Sequence, residues 1–368
     1  MNRACLALIF CVVLLFGMGL VMVFNTTSAE VLDRGLDRST THALIKQVCY
    51  SAVGFFGAFL VWKAGYHKLI KMSGGLLIVG CVFLLLVFVP GIGQQLNGAN
   101  RWINLLGLSF QPSEIVKYLI PLYAIFVFSK AEAPLTFKQF LILLGKIAVP
   151  TALILIEPDN GTVFILIVTL VVLFVLTKLK WVYWALPLCI LTLVGGVAAS
   201  QMSHVPDRIR IYLHPELDIK GKGHQPHQAK IAAGSGRLAG RGLGESLQKL
   251  NYLPEARSDY IAAIFAEEFG FIGMMLLMLI YMLIGCLGFY IAANASDTSG
   301  FYLASVLTFL LCFQAFLNLG VVSGLLPSKG TNLPFFSHGG SSLLANFLAL
   351  SLLLNVAKEK TCPHPQKS

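Results

Sequence analysis

Ten long, nearly uncharged apolar runs fill most of this chain, at residues 5–25, 44–62, 74–92, 113–129, 139–156, 161–178, 181–200, 261–290, 301–323 and 341–357. A hydrocarbon layer about 30 Å thick is crossed by about 20 such residues in a helix. Only helices and closed barrels satisfy their own backbone there, and barrel strands alternate apolar with polar residues rather than running unbroken. The pattern predicts an all-α polytopic membrane protein with about ten transmembrane helices. A large polar loop, about 201–260, separates helices seven and eight. With 57% apolar and 12% charged residues, the chain is no cytosolic globule, disordered segment or nucleic-acid binder. No fixed-period repeat or low-complexity linker divides it, so residues 1–368 read as a single membrane domain with a tail at about 358–368.

The net charge of +10 reads as orientation. With ten spans both termini share a side. If that side is cytoplasmic, the short inner segments hold eleven Lys and Arg and the short outer loops five. Trp181 and Trp184 beside Lys178 and Lys180 fit an interfacial anchor at the inner start of the seventh span. The expected location is the cytoplasmic membrane, with both termini in the cytoplasm. The cysteines form no CxxC pair and lie in or beside apolar runs or in the tail, which argues against a disulfide scaffold or a cysteine zinc site.

In this orientation every unusual polar stretch falls on the outer face. These are Asn97 to Trp102, Glu157 to Gly161, the 60-residue loop, and Pro327 to Ser342. Their convergence predicts one exofacial site. Glu114 and Lys117 share a helix face at the start of span four. A structural ion pair and a proton relay both fit them. Pro158-Asp159-Asn160-Gly161 is turn chemistry. Pro334 to Ser342 reads both as a serine-capped helix start and as an anion seat, which makes Ser337 and Ser341 candidate substrate contacts.

Residues 234–244 hold five glycines, Arg237 and Arg241. They read as either a flexible hinge or an anion cradle. His224 and His227 have a possible ligand spacing but no acidic or cysteine neighbours, so a metal site there is not expected. Asp259 sits where the loop enters span eight, as a helix cap or as a base whose pKa burial can tune. Glu267 and Glu268 follow inside the apolar run.

Together these stretches resemble the SEDS family of shape, elongation, division and sporulation proteins. The resemblance is carried by Arg101-Trp102-Ile103, Pro112-Ser113-Glu114 with Lys117, Pro158-Asp159 with Gly161, and Gln248 through Ala256. Asp259, Glu267-Glu268 and Leu333 through Ser342 complete it. Lys329 within Gly324–Gly330, together with Pro254-Glu255-Ala256, points to the division-type branch. His338, Ala229 and Ser258-Asp259-Tyr260 depart from the usual pattern without removing a charged group.

The resemblance implies a peptidoglycan glycosyltransferase that polymerises lipid II at the outer face. Asp259 is the expected catalytic base. Arg101, Lys117, Lys230, Arg237, Arg241 and Lys249 are expected to neutralise the diphosphate, and Trp102 to seat a sugar or lipid. A divalent cation, magnesium or manganese, is compatible with this chemistry, though no metal ligand is assigned. Expected partners are lipid II, the nascent lipid-linked glycan, a class B penicillin-binding transpeptidase and other division membrane proteins. A lipid II flippase and an elongation-type polymerase are the alternatives.

Overall fold

The computed structural model describes residues 3–34, 40–96, 99–105, 108–131, 133–189, 212, 221, 223–250, 253, 256–327 and 330–359. The helices are α1 (Arg3–Arg34), α2 (His42–Ala64), α3 (Tyr66–Leu86), α4 (Pro112–Lys130), α5 (Phe137–Ile156), α6 (Asn160–Leu176), α7 (His224–Ser235), α8 (Ile261–Ala293), α9 (Thr298–Val322) and α10 (Gly340–Glu359). Among the described residues, eight of these are long and apolar enough to cross a membrane, and α6 is a shorter apolar helix. Of the seventh expected span, 181–200, residues 181–189 are helical and the remainder lies outside the described residues. Most of the 201–260 loop before residue 223 also lies outside them.

Helices start where the sequence supplies caps. Thr136 and Gln139 form a reciprocal capping box on α5, and Asp159 and Asp297 cap α6 and α9. Pro112 opens α4, where its missing N–H leaves no bond unmade. Gly65, at φ 82°, turns the chain between α2 and α3. Helices α9 and α10 are largely buried at the centre, whereas α2, α3 and α5 turn most of their surface outward. Helix α10 packs on α2, α8 on α9 and α1, and α3 on α4.

Two differences from the sequence expectation stand out. Helix α3 begins at Tyr66 rather than near residue 74, because Lys68 and Lys71 are accommodated in its first turns, where long cationic side chains reach water. The loop after it is not irregular. It forms a three-stranded antiparallel sheet of β1 (Gly93–Leu96), β2 (Ala99–Leu105) and β3 (Leu108–Phe110), with Trp102 opposite Gln94 and Ile103 opposite Phe110. The signal was present in Asn97-Gly98, a pair favoured in two-residue hairpin turns, which separates β1 from β2 in sequence.

Candidate functional site

Residues 256–260 form turns leading into α8. Tyr260 occupies the N-cap position without a side-chain cap bond, and Asp259 precedes it by one residue. The Asp259 carbonyl accepts a hydrogen bond of 2.8 Å from Asn318 Nδ2 on α9. Residue 330 faces its carboxylate closely, since a Cβ on Gly330 would lie 2.9 Å from Asp259 Oδ2. Arg257 Nη1 lies 3.4 Å from Glu30 Oε2 on α1, and the Arg257 carbonyl accepts from the His338 amide at 3.0 Å. His338 Nδ1 meets Gln47 Oε1 at 2.9 Å. Burial, with Arg257, Lys46 and His42 adding positive charge nearby, pushes the His338 imidazole down to about 4. It is therefore neutral at physiological pH.

Asp159 is a second hub. Its carboxylate accepts from the Thr162 amide (3.2 Å) and hydroxyl (2.8 Å), and from Ser113 Oγ and Gln111 Nε2, both at 3.1 Å. The expected turn is thus also a helix cap that ties α6 to α4. Arg101, on β2, donates Nε to the Glu157 carbonyl at 2.8 Å and Nη2 to the Pro158 carbonyl at 2.6 Å. The Glu157 side chain is fully buried, and neither carboxyl oxygen has a hydrogen-bond partner among the described residues. Burial first, then the neighbouring Asp159 charge, push its carboxyl up to about 8 against the opposing pull of Arg101. It is accordingly largely protonated at neutral pH.

Lys117 Nζ lies 2.7 Å from Glu114 Oε2 and donates at 3.0 Å to Gln314 Oε1 on α9. The ammonium is 1% exposed, so both acceptors are needed to replace its water. Ser341 Oγ accepts from the Gln111 amide at 2.7 Å, and Ser337 Oγ from the Leu333 amide at 2.8 Å. Both candidate anion-seat serines are buried and fasten neighbouring backbone.

The glycine-rich segment is neither a hinge nor an open cradle. Helix α8 is broken at Gly270 (φ 66°, ψ −163°), and residues 236–242 dock on the break. The amides of Arg241 and Gly242 donate to the carbonyls of Glu267 and Glu268, both at 3.0 Å. The amides of Phe271 and Ile272 donate to the carbonyls of Arg237 and Leu238 at 2.9 and 3.1 Å. Irregular backbone at membrane depth survives only when protein supplies its missing bonds. The backbones approach so closely that a Cβ on Gly240 would sit 2.1 Å from the Glu268 carbonyl oxygen.

The adjacent acids hold the same junction. Glu267 accepts from Ser246 Oγ at 2.6 Å and from the Leu247 and Gln248 amides at 3.2 Å. Glu268 takes Lys249 Nζ at 3.0 Å and Asn25 Nδ2 at 2.6 and 2.8 Å. Arg241 Nε is 3.6 Å from Glu267 Oε1.

One end of the bundle therefore gathers Asp259, Arg101, Trp102, Glu114, Lys117, Ser337 and Ser341. The docked segment joins α8 two turns further in. Lys249 is buried in an ion pair, while Lys230, Arg237 and Arg241 remain exposed. Asn318 and Gln314 were not singled out from the sequence, because an amide in an apolar helix carries no local motif, whereas Glu157 was seen only as part of the 157–161 polar stretch. Among the described residues, the His and carboxylate group close enough to share an ion is His67, Asp297 and Glu359. It lies at the other end of α9, about 31 Å along the helix from Asn318 at 1.5 Å per residue. It lends no support to an ion beside Asp259.

A family model described as cell cycle protein, FtsW/RodA/SpoVE, matches residues 6–362. A probable peptidoglycan glycosyltransferase FtsW of Trichlorobacter lovleyi is 35% identical over 96% of this chain and 92% of its own length. The same-named protein of Coxiella burnetii is 36% identical, covering 96% and 95%. Stage V sporulation protein E of Bacillus subtilis is 36% identical, covering 96% of each. The fold matches a chain solved in work on the coordination of polymerization and crosslinking by a peptidoglycan synthase complex. Its TM-score is 0.76 at 24% identity, over 96% of this chain and 97% of the other. Thermus thermophilus rod shape determining protein RodA follows at 0.69 and 24%, over 96% of each.

Proposed function

The chain belongs to the FtsW/RodA/SpoVE family of cell cycle proteins, and on that premise we infer that it is a peptidoglycan glycosyltransferase that polymerises lipid II during division. It is a multi-pass membrane protein. We place it in the cytoplasmic membrane as one membrane domain, with both termini inside and the Asp259 end outside. The observation that carries the mechanism is Asp259 at the mouth of α8, fixed through its own backbone and facing Gly330.

A hydroxyl of the acceptor sugar attacks the anomeric carbon of the donor, and Asp259 takes the hydroxyl proton as the new C–O bond forms. The bond to the lipid diphosphate breaks, and that group leaves as an anion. It needs charge neutralisation rather than a strong acid. Exposed Lys230, Arg237 and Arg241 are suited to this role. Arg101, turned onto the Glu157 and Pro158 carbonyls, shapes the rim beside Trp102. Lys117 and Lys249, each buried against a carboxylate, brace the helices that carry the site. Ser337 and Ser341 fasten the backbone at Leu333 and Gln111. The partner is a class B penicillin-binding transpeptidase that crosslinks the strands made here, alongside other division membrane proteins. Its support is the likeness in fold to a chain from a peptidoglycan synthase complex.

The test is lipid II polymerisation by purified Asp259→Asn. Turnover should fall roughly 10²–10⁴-fold, the usual worth of a positioned base, with lipid II binding and protein level near wild type. Glycan strands made at the wild-type rate would remove Asp259 as the base. A lipid II flipping assay on the same variant separates a polymerase from a transporter.

A further inference from the structure

Helix α9 carries two carboxamides one turn apart, Gln314 and Asn318, in an otherwise apolar stretch, and each residue is 1% exposed. A buried amide costs stability unless it is bonded, so its partners show what it holds. Asn318 Nδ2 donates both its protons, one to the Asp259 carbonyl at 2.8 Å and one to the Thr331 carbonyl at 2.6 Å. Gln314 Nε2 donates to the next carbonyl, Asn332, at 2.9 Å, while its Oε1 accepts from Lys117 Nζ. The ladder thus reads consecutive carbonyls of the strap 331–332. It ends on Asp259 at one side and on the Lys117–Glu114 pair at the other.

Two details argue that this arrangement serves position rather than stability. Asn318 Oδ1 is buried with no hydrogen-bond partner among the described residues. An orphaned acceptor of this kind is destabilising. The amide is present although one of its polar atoms is unpaired, and its two donated bonds go to the Asp259 and Thr331 carbonyls, which an apolar residue would leave without this donor. The strap also bears directly on the carboxylate, because Gly330 leaves room for Asp259 Oδ2 that a side chain would take. One amide therefore sets both the backbone beneath Asp259 and the wall facing it.

We propose that Asn318 is a positioning residue for Asp259, and that Gln314 ties the same strap to Lys117. This rests on the reading of Asp259 as the base. Asn318→Ala should lower kcat for lipid II polymerisation roughly 10- to 100-fold, the effect of misplacing a reacting group by about 1 Å, with KM and lipid II binding unchanged. In an Asp259→Asn background, followed over long incubations, the same substitution should cost nothing further, because there is no base left to position.

Should Asn318→Ala fail to fold, Gln314→Glu serves in its place. It keeps an oxygen for Lys117 but loses the donor to Asn332, and its smaller loss should likewise vanish in the Asp259→Asn background. Wild-type kcat in Asn318→Ala overturns the proposal, as does an equal fold-loss with and without Asp259. If Asp259→Asn alone polymerises normally, the base assignment falls and the ladder's purpose with it. If that variant is inactive while Asn318→Ala is not, only the ladder falls.

Discussion

Lys249 Nζ lies 3.0 Å from Glu268 Oε1, and both side chains are buried where the docked loop meets the break in α8. The amine also donates to Asn25 Oδ1 at 2.7 Å and to the Gly244 carbonyl at 2.6 Å. Its three protons are thereby used within the protein, which assigns it to joining α1, α8 and the loop.

Removing one partner strands a buried charge, whereas removing both does not. Lys249→Met should therefore sharply reduce folded protein recovered from membranes. Lys249→Met with Glu268→Gln should recover part of the loss in melting temperature and in polymerisation. A double variant no better than Lys249→Met on either readout would return Lys249 to the list of diphosphate contacts.

The backbone contact between the loop and α8 makes a sharper forecast. Gly240 and Gly244 both have positive φ, 82° and 87°, so alanine at either is strained. At Gly244 nothing lies within 4 Å of the added methyl, and the cost should stay near 1 kcal/mol. At Gly240 the methyl would meet the Glu268 carbonyl, so Gly240→Ala should abolish a monodisperse protein peak while Gly244→Ala keeps one. Equal behaviour of the two would argue against the docked geometry.

Glu157 gives a pH dependence of definite sign. Its carboxyl is pushed from the ordinary 4.5 up to about 8, chiefly by burial and then by Asp159. Between those values the folded protein holds more protons than the unfolded chain, so stability falls as pH rises from 4.5 to 8. Glu157→Gln removes that dependence. Melting temperature in detergent should rise by a few degrees at pH 8 and hardly change at pH 4.5. The same gain at both pH values would mean that Glu157 does not titrate in this window.

Orientation is open to direct chemistry. In a cysteine-free background, Leu243→Cys and Lys138→Cys place thiols at exposed positions in loop 236–250 and at the start of α5. An impermeant thiol reagent should label the first in intact cells and the second only after lysis. The opposite pattern would invert the membrane orientation.

The sequence by itself determined that this is a helical membrane protein, roughly where its spans lie, and that its polar motifs converge. Uninterrupted apolar runs admit few other solutions in lipid, and short loops force neighbouring spans to alternate direction. It marked Asp259, Glu114 with Lys117, and Glu267 with Glu268, since charges at or within apolar runs are conspicuous.

What only the tertiary structure decided is how those charges are spent. Glycines in 234–244 look identical in sequence whether they cradle an anion or, as Gly236 and Gly240 do, admit a second backbone. The break at Gly270 settles this by leaving amides and carbonyls that residues 237–242 satisfy. Lys249 and Arg237 read alike as cations, yet one is buried on Glu268 and the other exposed. Asn318 and Gln314 gave no signal, because a carboxamide acquires meaning from what it meets. Their partners, Asp259 and Lys117, lie 59 and 197 residues away in the chain. Local pattern fixes which segments enter the membrane, while hydrogen-bond partners across such distances are set by how the helices pack.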